Sequence, residues 1–170
     1  MQKNTLPADL LSDDLRFLIA CCQTEPTEED INLIRSYLSP VSGGHGGTAP
    51  TERLLTAASQ HGILPLVYKT LKRLDDKNHL NAERSTLNAF KSACSQIAFR
   101  NMLMTGELIK IMDLLRENGI EALAFKGPAL AQMAYGNITM RQFGDLDILI
   151  QSKKKTDMLE LLLSKKYVPE

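Results

Sequence analysis

From Asn81 to Asn118 the chain has no proline and a single glycine, Gly106. Proline breaks a helix interior and glycine weakens it, so a stretch free of both tends to stay helical. The segment predicts one long helix, or two nearly continuous ones, stopped by Gly119. Within it Leu108, Ile111 and Leu115 repeat at helical spacing and form an apolar stripe. Met102, Met104 and Met112 read as core filler on the same helix.

The residues before this segment also carry helical patterns. "DDLRFLIACC" places Leu15, Leu18 and Ile19 on one face. "TEEDINLIRSYL" opens with Thr27 and has Asp30 three residues later, a start resembling a capping box, followed by Ile31, Ile34 and Leu38 at helical spacing. "SPVSGGHGGTAP" packs four glycines and two prolines into a dozen residues and predicts an exposed linker. After it, "TERLLTAASQHG" predicts a helix capped by Thr51 and stopped by Gly62. Pro65 suits the first turn of the next helix, "LPLVYKTLKRL". The expected organisation is an N-terminal helical hairpin (1–42), a Gly-rich linker (43–50), a helical region (51–119) and a C-terminal region (120–170).

Past Gly119 the period changes. "IEALAFKG" reads as a short strand ending in a turn. "PALAQMAYG" reads as a helix with Pro128 in its first turn and Gly136 at its end. "NITMRQFG" is a loop, and "DLDILI" alternates as a strand. "KKKTDMLELLLSKKY" is an amphipathic helix with Met158, Leu161 and Leu162 on related faces. The fold class is therefore α+β: a mostly helical N-terminal region, then a strand–helix–strand–helix unit.

Composition argues against several function classes. Lys plus Arg and Asp plus Glu number 20 each, so there is no global field to draw nucleic acid or an anionic membrane. Trp is absent and aromatics are 5%, which argues against a platform for stacking single strands. No apolar run approaches the roughly 20 residues that span a bilayer. The N-terminus is polar and acidic, unlike a signal peptide. Cys21, Cys22 and Cys94 lack the spacing of a zinc site or disulfide framework, so reduced thiols in a cytoplasmic protein are expected.

The chemistry concentrates in "FKGPALAQMAYGNITMRQFGDLDILI". Side chains alternate faces along a strand. Asp145 and Asp147 therefore share a face with Leu149, while Leu146, Ile148 and Ile150 point to a core. Same-face neighbours lie about 7 Å apart, from a rise of roughly 3.3 Å per residue. Two carboxylates at that spacing repel unless a cation lies between them. Mg²⁺ takes hard oxygen ligands and leaves positions for phosphate oxygens, and Mn²⁺ can substitute for it. A pair of such ions can clamp the attacking and leaving oxygens of a phosphoryl displacement. Gly127 sits at a strand-to-helix turn, where backbone N–H groups favour anions. Lys126 adds a point charge, and Arg141 a planar fork suited to phosphate.

The order of these features resembles the DNA polymerase β-like nucleotidyltransferase superfamily. More closely, "LLTAASQHGILPLVYKTL" followed by the Lys-Gly…Arg…Asp-x-Asp stretch resembles a poorly characterised bacterial nucleotidyltransferase-like family, from about Thr51 onward. The resemblance implies that Asp145 and Asp147 are catalytic metal ligands. It also implies that Lys126, Gly127 and Arg141 bind the nucleotide. The implied activity is Mg²⁺-dependent transfer of NMP from an NTP to an acceptor: a protein, a small molecule or an RNA end.

The chain departs from the superfamily pattern in three respects. Pro128, which has no N–H, follows Gly127. Asp145 comes eighteen positions after Gly127, a longer gap than usual. The third carboxylate comes from a later strand there, and the sequence reaches Glu170 before one. The resemblance thus implies the N-terminal part of a longer protein, with self-association through an unpaired sheet edge. Two other readings stand beside it. One is a non-catalytic nucleotide-binding or protein-interaction module on a degenerate nucleotidyltransferase fold. The other is a helical adaptor whose strands complete another chain's sheet. His45, His61 and His79 lie apart in sequence and read as surface or helix-end residues. Lys153, Lys154 and Lys155 read as a solvated basic run.

Overall fold

The computed structural model describes residues 11–38, 50–80 and 84–168. The chain forms two compact units, Met1–Ile97 and Ala98–Glu170. The first holds helices α1 (Asp13–Cys21), α2 (Glu28–Tyr37), α3 (Pro50–Gln60), α4 (Leu64–Asp76) and the start of α5 (Arg84–Glu117). The second holds the rest of α5, strand β1 (Ala122–Ala124), α6 (Gly127–Tyr135), β2 (Ile148–Ile150) and α7 (Lys155–Ser164). Short 3-10 turns, Ile138–Met140 and Ser152–Lys154, precede β2 and α7. The protein is thus mostly helical α+β, as its patterning predicts.

Local chemistry explains the element ends. Thr27 caps α2: the Asp30 N–H donates to its hydroxyl at 3.2 Å, and its own N–H donates to the Asp30 carboxylate at 2.9 Å. Such a cap is worth about 1 kcal/mol. Pro65 lies in the first turn of α4, and Gly119 ends α5 with φ +67°. Two expectations need correction. Thr51 does not cap α3, because the helix already includes Pro50; its hydroxyl instead meets that of Thr86 at 2.9 Å. Of the face formed by Leu15, Leu18 and Ile19, Leu18 is buried but Ile19 is exposed, because α1 turns Phe17 and Cys21 inward beside Leu18. The glycine-rich stretch expected as a linker lies outside the described residues, apart from Pro50.

In the first unit α1 packs against α2, α3 and α4. Phe17, Ile34, Leu54, Val67, Leu71 and Phe90 are all fully buried there. The Tyr37 hydroxyl donates to Asp14, and the Arg53 guanidinium reaches both. Burial, with the Asp14 carboxylate beside it, pushes the Tyr37 phenol above its ordinary range. All three cysteines are free thiols, and burial pushes that of Cys94 up to about 12.

The second unit is organised by a two-stranded antiparallel ribbon. Ala122 pairs with Ile150, Leu123 with Leu149, and Ala124 with Ile148. The inner face follows the predicted alternation: Leu146, Ile148 and Ile150 pack on Ile111, Leu115 and Ile120, and Met158 of α7 joins them. On the outer face Leu123 and Leu149 sit opposite each other and are exposed. The stripe Leu108, Ile111 and Leu115 of α5 is buried as its spacing predicts. Met102 is exposed, contrary to its reading as core filler. It follows the buried Asn101 and so points about 100° away around the helix. The Tyr167 hydroxyl donates to Glu107 and, with Lys110, holds that carboxyl below its ordinary range.

Burial decides the cost of truncation here. Leu115 is fully buried, so Leu115→Ala should cost about 2–5 kcal/mol. Leu123, 63% exposed, should lose only about 0.5 kcal/mol when changed to Ala. Urea unfolding of the two variants measures the difference, and equal losses would contradict this core assignment.

Candidate nucleotide site

The expected strand "DLDILI" is shorter than its alternation suggests. Only Ile148–Ile150 is strand, and Asp145 to Asp147 lie just ahead of it. The pairing nevertheless continues beyond β1. The Phe125 N–H donates to the Asp147 carbonyl at 2.8 Å, the next step of the same register. One further repeat sets Gly127 opposite Asp145, and a Cβ built on Gly127 would lie 3.4 Å from the Asp145 carbonyl oxygen. The turn into α6 and the two aspartates are thus neighbours because the antiparallel register makes them so.

The backbone at this turn is unusual. Lys126 has φ 60° and ψ −150°, and Gly127 has φ +44°. Glycine takes such values freely, whereas a lysine is strained by about 1–3 kcal/mol. The consequence is directional: the Lys126 ammonium lies 3.9 Å from the Asp147 carboxylate and 5.3 Å from the centre of the Phe125 ring. Both ends of the Lys126–Asp147 pair remain partly solvated, so the contact itself contributes at most about 1 kcal/mol. Gly127 is buried, and its positive φ is what favours glycine at this turn beside the Asp145 backbone.

Asp145 is exposed and has no hydrogen-bond or ion-pair partner among the described residues. The side chain of Arg141 is likewise unpaired among them, and no hydrogen bond or ion pair joins it to either aspartate. What positions Arg141 is its backbone. Asn101, fully buried in α5, donates through Nδ2 to the Ile138 carbonyl at 2.7 Å and the Arg141 carbonyl at 2.8 Å. This clamp fixes the loop that leads into Asp145. Sequence reasoning missed Asn101, although a signal was present: it stands seven residues before Leu108 on the buried stripe. A second neighbour also went unread. A Cβ on Gly144 would lie 3.4 Å from a guanidinium nitrogen of Arg100.

The donor set suits a hard divalent cation. Two carboxylates separated by one residue lie at an exposed chain segment, and one of them has no partner. No group of three His, Cys, Asp or Glu residues gathers among the described residues. Asp145 and Asp147 are the residues that would hold such an ion, and two carboxylates would leave most of its coordination positions to other oxygen ligands.

A glycine turn facing paired aspartates, with cations at hand, is the arrangement expected of a nucleotidyltransferase. Residues 48–170 match a family model described as an uncharacterised nucleotidyltransferase, and the chain belongs to that family. No curated protein and no solved structure matches the chain. No helix among the described residues is long and apolar enough to cross a membrane.

Strain at Lys126 sets a trade-off. Lys126→Gly removes an unfavourable backbone conformation and forfeits only a half-exposed ion pair. The variant should gain about 1 kcal/mol in urea unfolding while binding NTP several-fold more weakly. A loss of stability, or an unchanged affinity, would contradict the reading of this turn.

Proposed function

We propose that the protein is a metal-dependent nucleotidyltransferase that moves NMP from an NTP to an acceptor hydroxyl. In that reaction the acceptor oxygen forms a bond to the α-phosphorus and gives up its proton to solvent, the bond from the α-phosphorus to the bridging oxygen breaks, and pyrophosphate leaves. Asp145 and Asp147 would hold Mg²⁺, with Mn²⁺ as substitute. Bound there, the ion would neutralise phosphate charge and orient the reacting oxygens. The observation that carries the reading is the register that sets Lys126 and Gly127 directly against these two aspartates. Family membership supports the same reaction class.

Each residue has a distinct task in this scheme. Gly127 keeps the space beside Asp145 free of a side chain. Lys126, held near Asp147, is placed to exchange that carboxylate for phosphate oxygens when nucleotide arrives. Arg141 offers a planar fork for the same group from a loop pinned by Asn101. The half-buried Leu146 and Ile148 anchor the aspartate segment to the core below, which limits how far the carboxylates can stray.

One observation favours a second reading. With only two carboxylates gathered among the described residues, the site suits nucleotide binding without transfer. Release of pyrophosphate from a labelled NTP separates the two.

The metal assignment has its own test. Asp145→Asn and Asp147→Asn should each abolish Mg²⁺-dependent NTP binding by calorimetric titration. Neither residue is buried, so both variants should keep the wild-type circular dichroism and melting temperature to within a few degrees. Unchanged affinity in both variants would sink the metal site.

A further inference from the structure

Arg100 stands on the turn of α5 that also carries Asn101. Asn101 points inward and clamps the Ile138–Arg141 loop, whereas Arg100 is exposed on the neighbouring face. Its guanidinium lies against Gly144, the residue immediately before Asp145, where a built Cβ would stand 3.4 Å from Nη2. That is van der Waals contact, so the guanidinium lies directly beside the backbone at position 144. Arg100 has no hydrogen-bond or ion-pair partner among the described residues. A guanidinium carries five donors and no acceptor, and here none of them is engaged by the described residues.

Charge balance gives this arrangement a purpose. The outer phosphates of an NTP carry more negative charge than one divalent ion offsets. Lys126 is already directed to Asp147 in the free protein. Arg100 reaches Gly144, one residue before Asp145, and no hydrogen bond or ion pair among the described residues ties it to that carboxylate, so its donors remain available.

We propose that Arg100 is a further phosphate contact of the nucleotide site, delivered by α5 across Gly144 and directed to the outer phosphates of the NTP. The proposal rests on the reading of Asp145 and Asp147 as the metal and phosphate site. Asn101, on the same helical turn, holds the Ile138–Arg141 loop that leads to Gly144. The planar fork suits two phosphate oxygens at once, which a lysine ammonium does not reproduce.

The test is a set of titrations of the full chain with Mg²⁺ and either ATP or AMP. The proteins are wild type, Arg100→Gln, Arg100→Lys and Asp147→Asn. Arg100→Gln should weaken ATP binding roughly tenfold or more, the loss of a charge-assisted contact. Arg100→Lys should recover part of that affinity, and AMP binding should change less than twofold in both. Melting temperatures should match wild type, since the side chain is exposed and makes no hydrogen bond among the described residues. ATP affinity unchanged in Arg100→Gln, while Asp147→Asn loses binding, would overturn the role of Arg100 and leave the metal site standing. An equal loss for ATP and AMP would overturn the assignment to the outer phosphates. Wild type and Asp147→Asn binding alike, or neither binding, would overturn the site reading and this proposal with it.

Discussion

The hydrogen bond from the Phe125 N–H to the Asp147 carbonyl is the constraint on which the candidate site depends. It extends the β1–β2 register one step past the strands and carries two chemically different segments into contact. A shift of that register by one residue would turn Leu146 and Ile148 to solvent and both aspartates into the core. Burial of Leu146, Ile148 and Ile150 on α5 and α7 opposes such a slip. The core thus holds the carboxylates outward by holding their neighbours inward.

A second constraint acts from α5. Asn101 offers two hydrogen bonds to loop carbonyls from a fully buried position, where an unmet carbonyl would cost about 1–3 kcal/mol. The loop before Asp145 is therefore fastened at its start by Asn101 and at its end by the strand register. A three-residue ribbon alone would be a poor platform. Seated on a 34-residue helix and clamped by it, the ribbon can hold side chains in a defined relation.

Much of this was legible in the sequence because it rests on short-range rules. The proline-free stretch became α5, Thr27 and Asp30 formed a reciprocal cap, and Gly119 and Gly136 ended helices in left-handed geometry. The alternation around Asp145 and Asp147 correctly sorted inner from outer residues. Less legible was whatever depends on contacts between distant segments. Strand length was overestimated because alternation persists after the ladder has stopped at the strained Lys126. Leu18 and Ile19 share a face in the helical pattern, and only the tertiary packing of α1 buries Leu18 with Phe17 while leaving Ile19 exposed. Asn101 and Arg100 look like ordinary helix residues until the loop that meets them is in place.

The most direct measurement is anomalous diffraction from crystals soaked with Mn²⁺ and a non-hydrolysable NTP analogue. The account predicts one strong manganese peak bound by carboxylate oxygens of Asp145 and Asp147. It also predicts phosphate density on the same side as Lys126 and the Gly127 turn. A manganese peak elsewhere on the protein, with phosphates away from this turn, would contradict it.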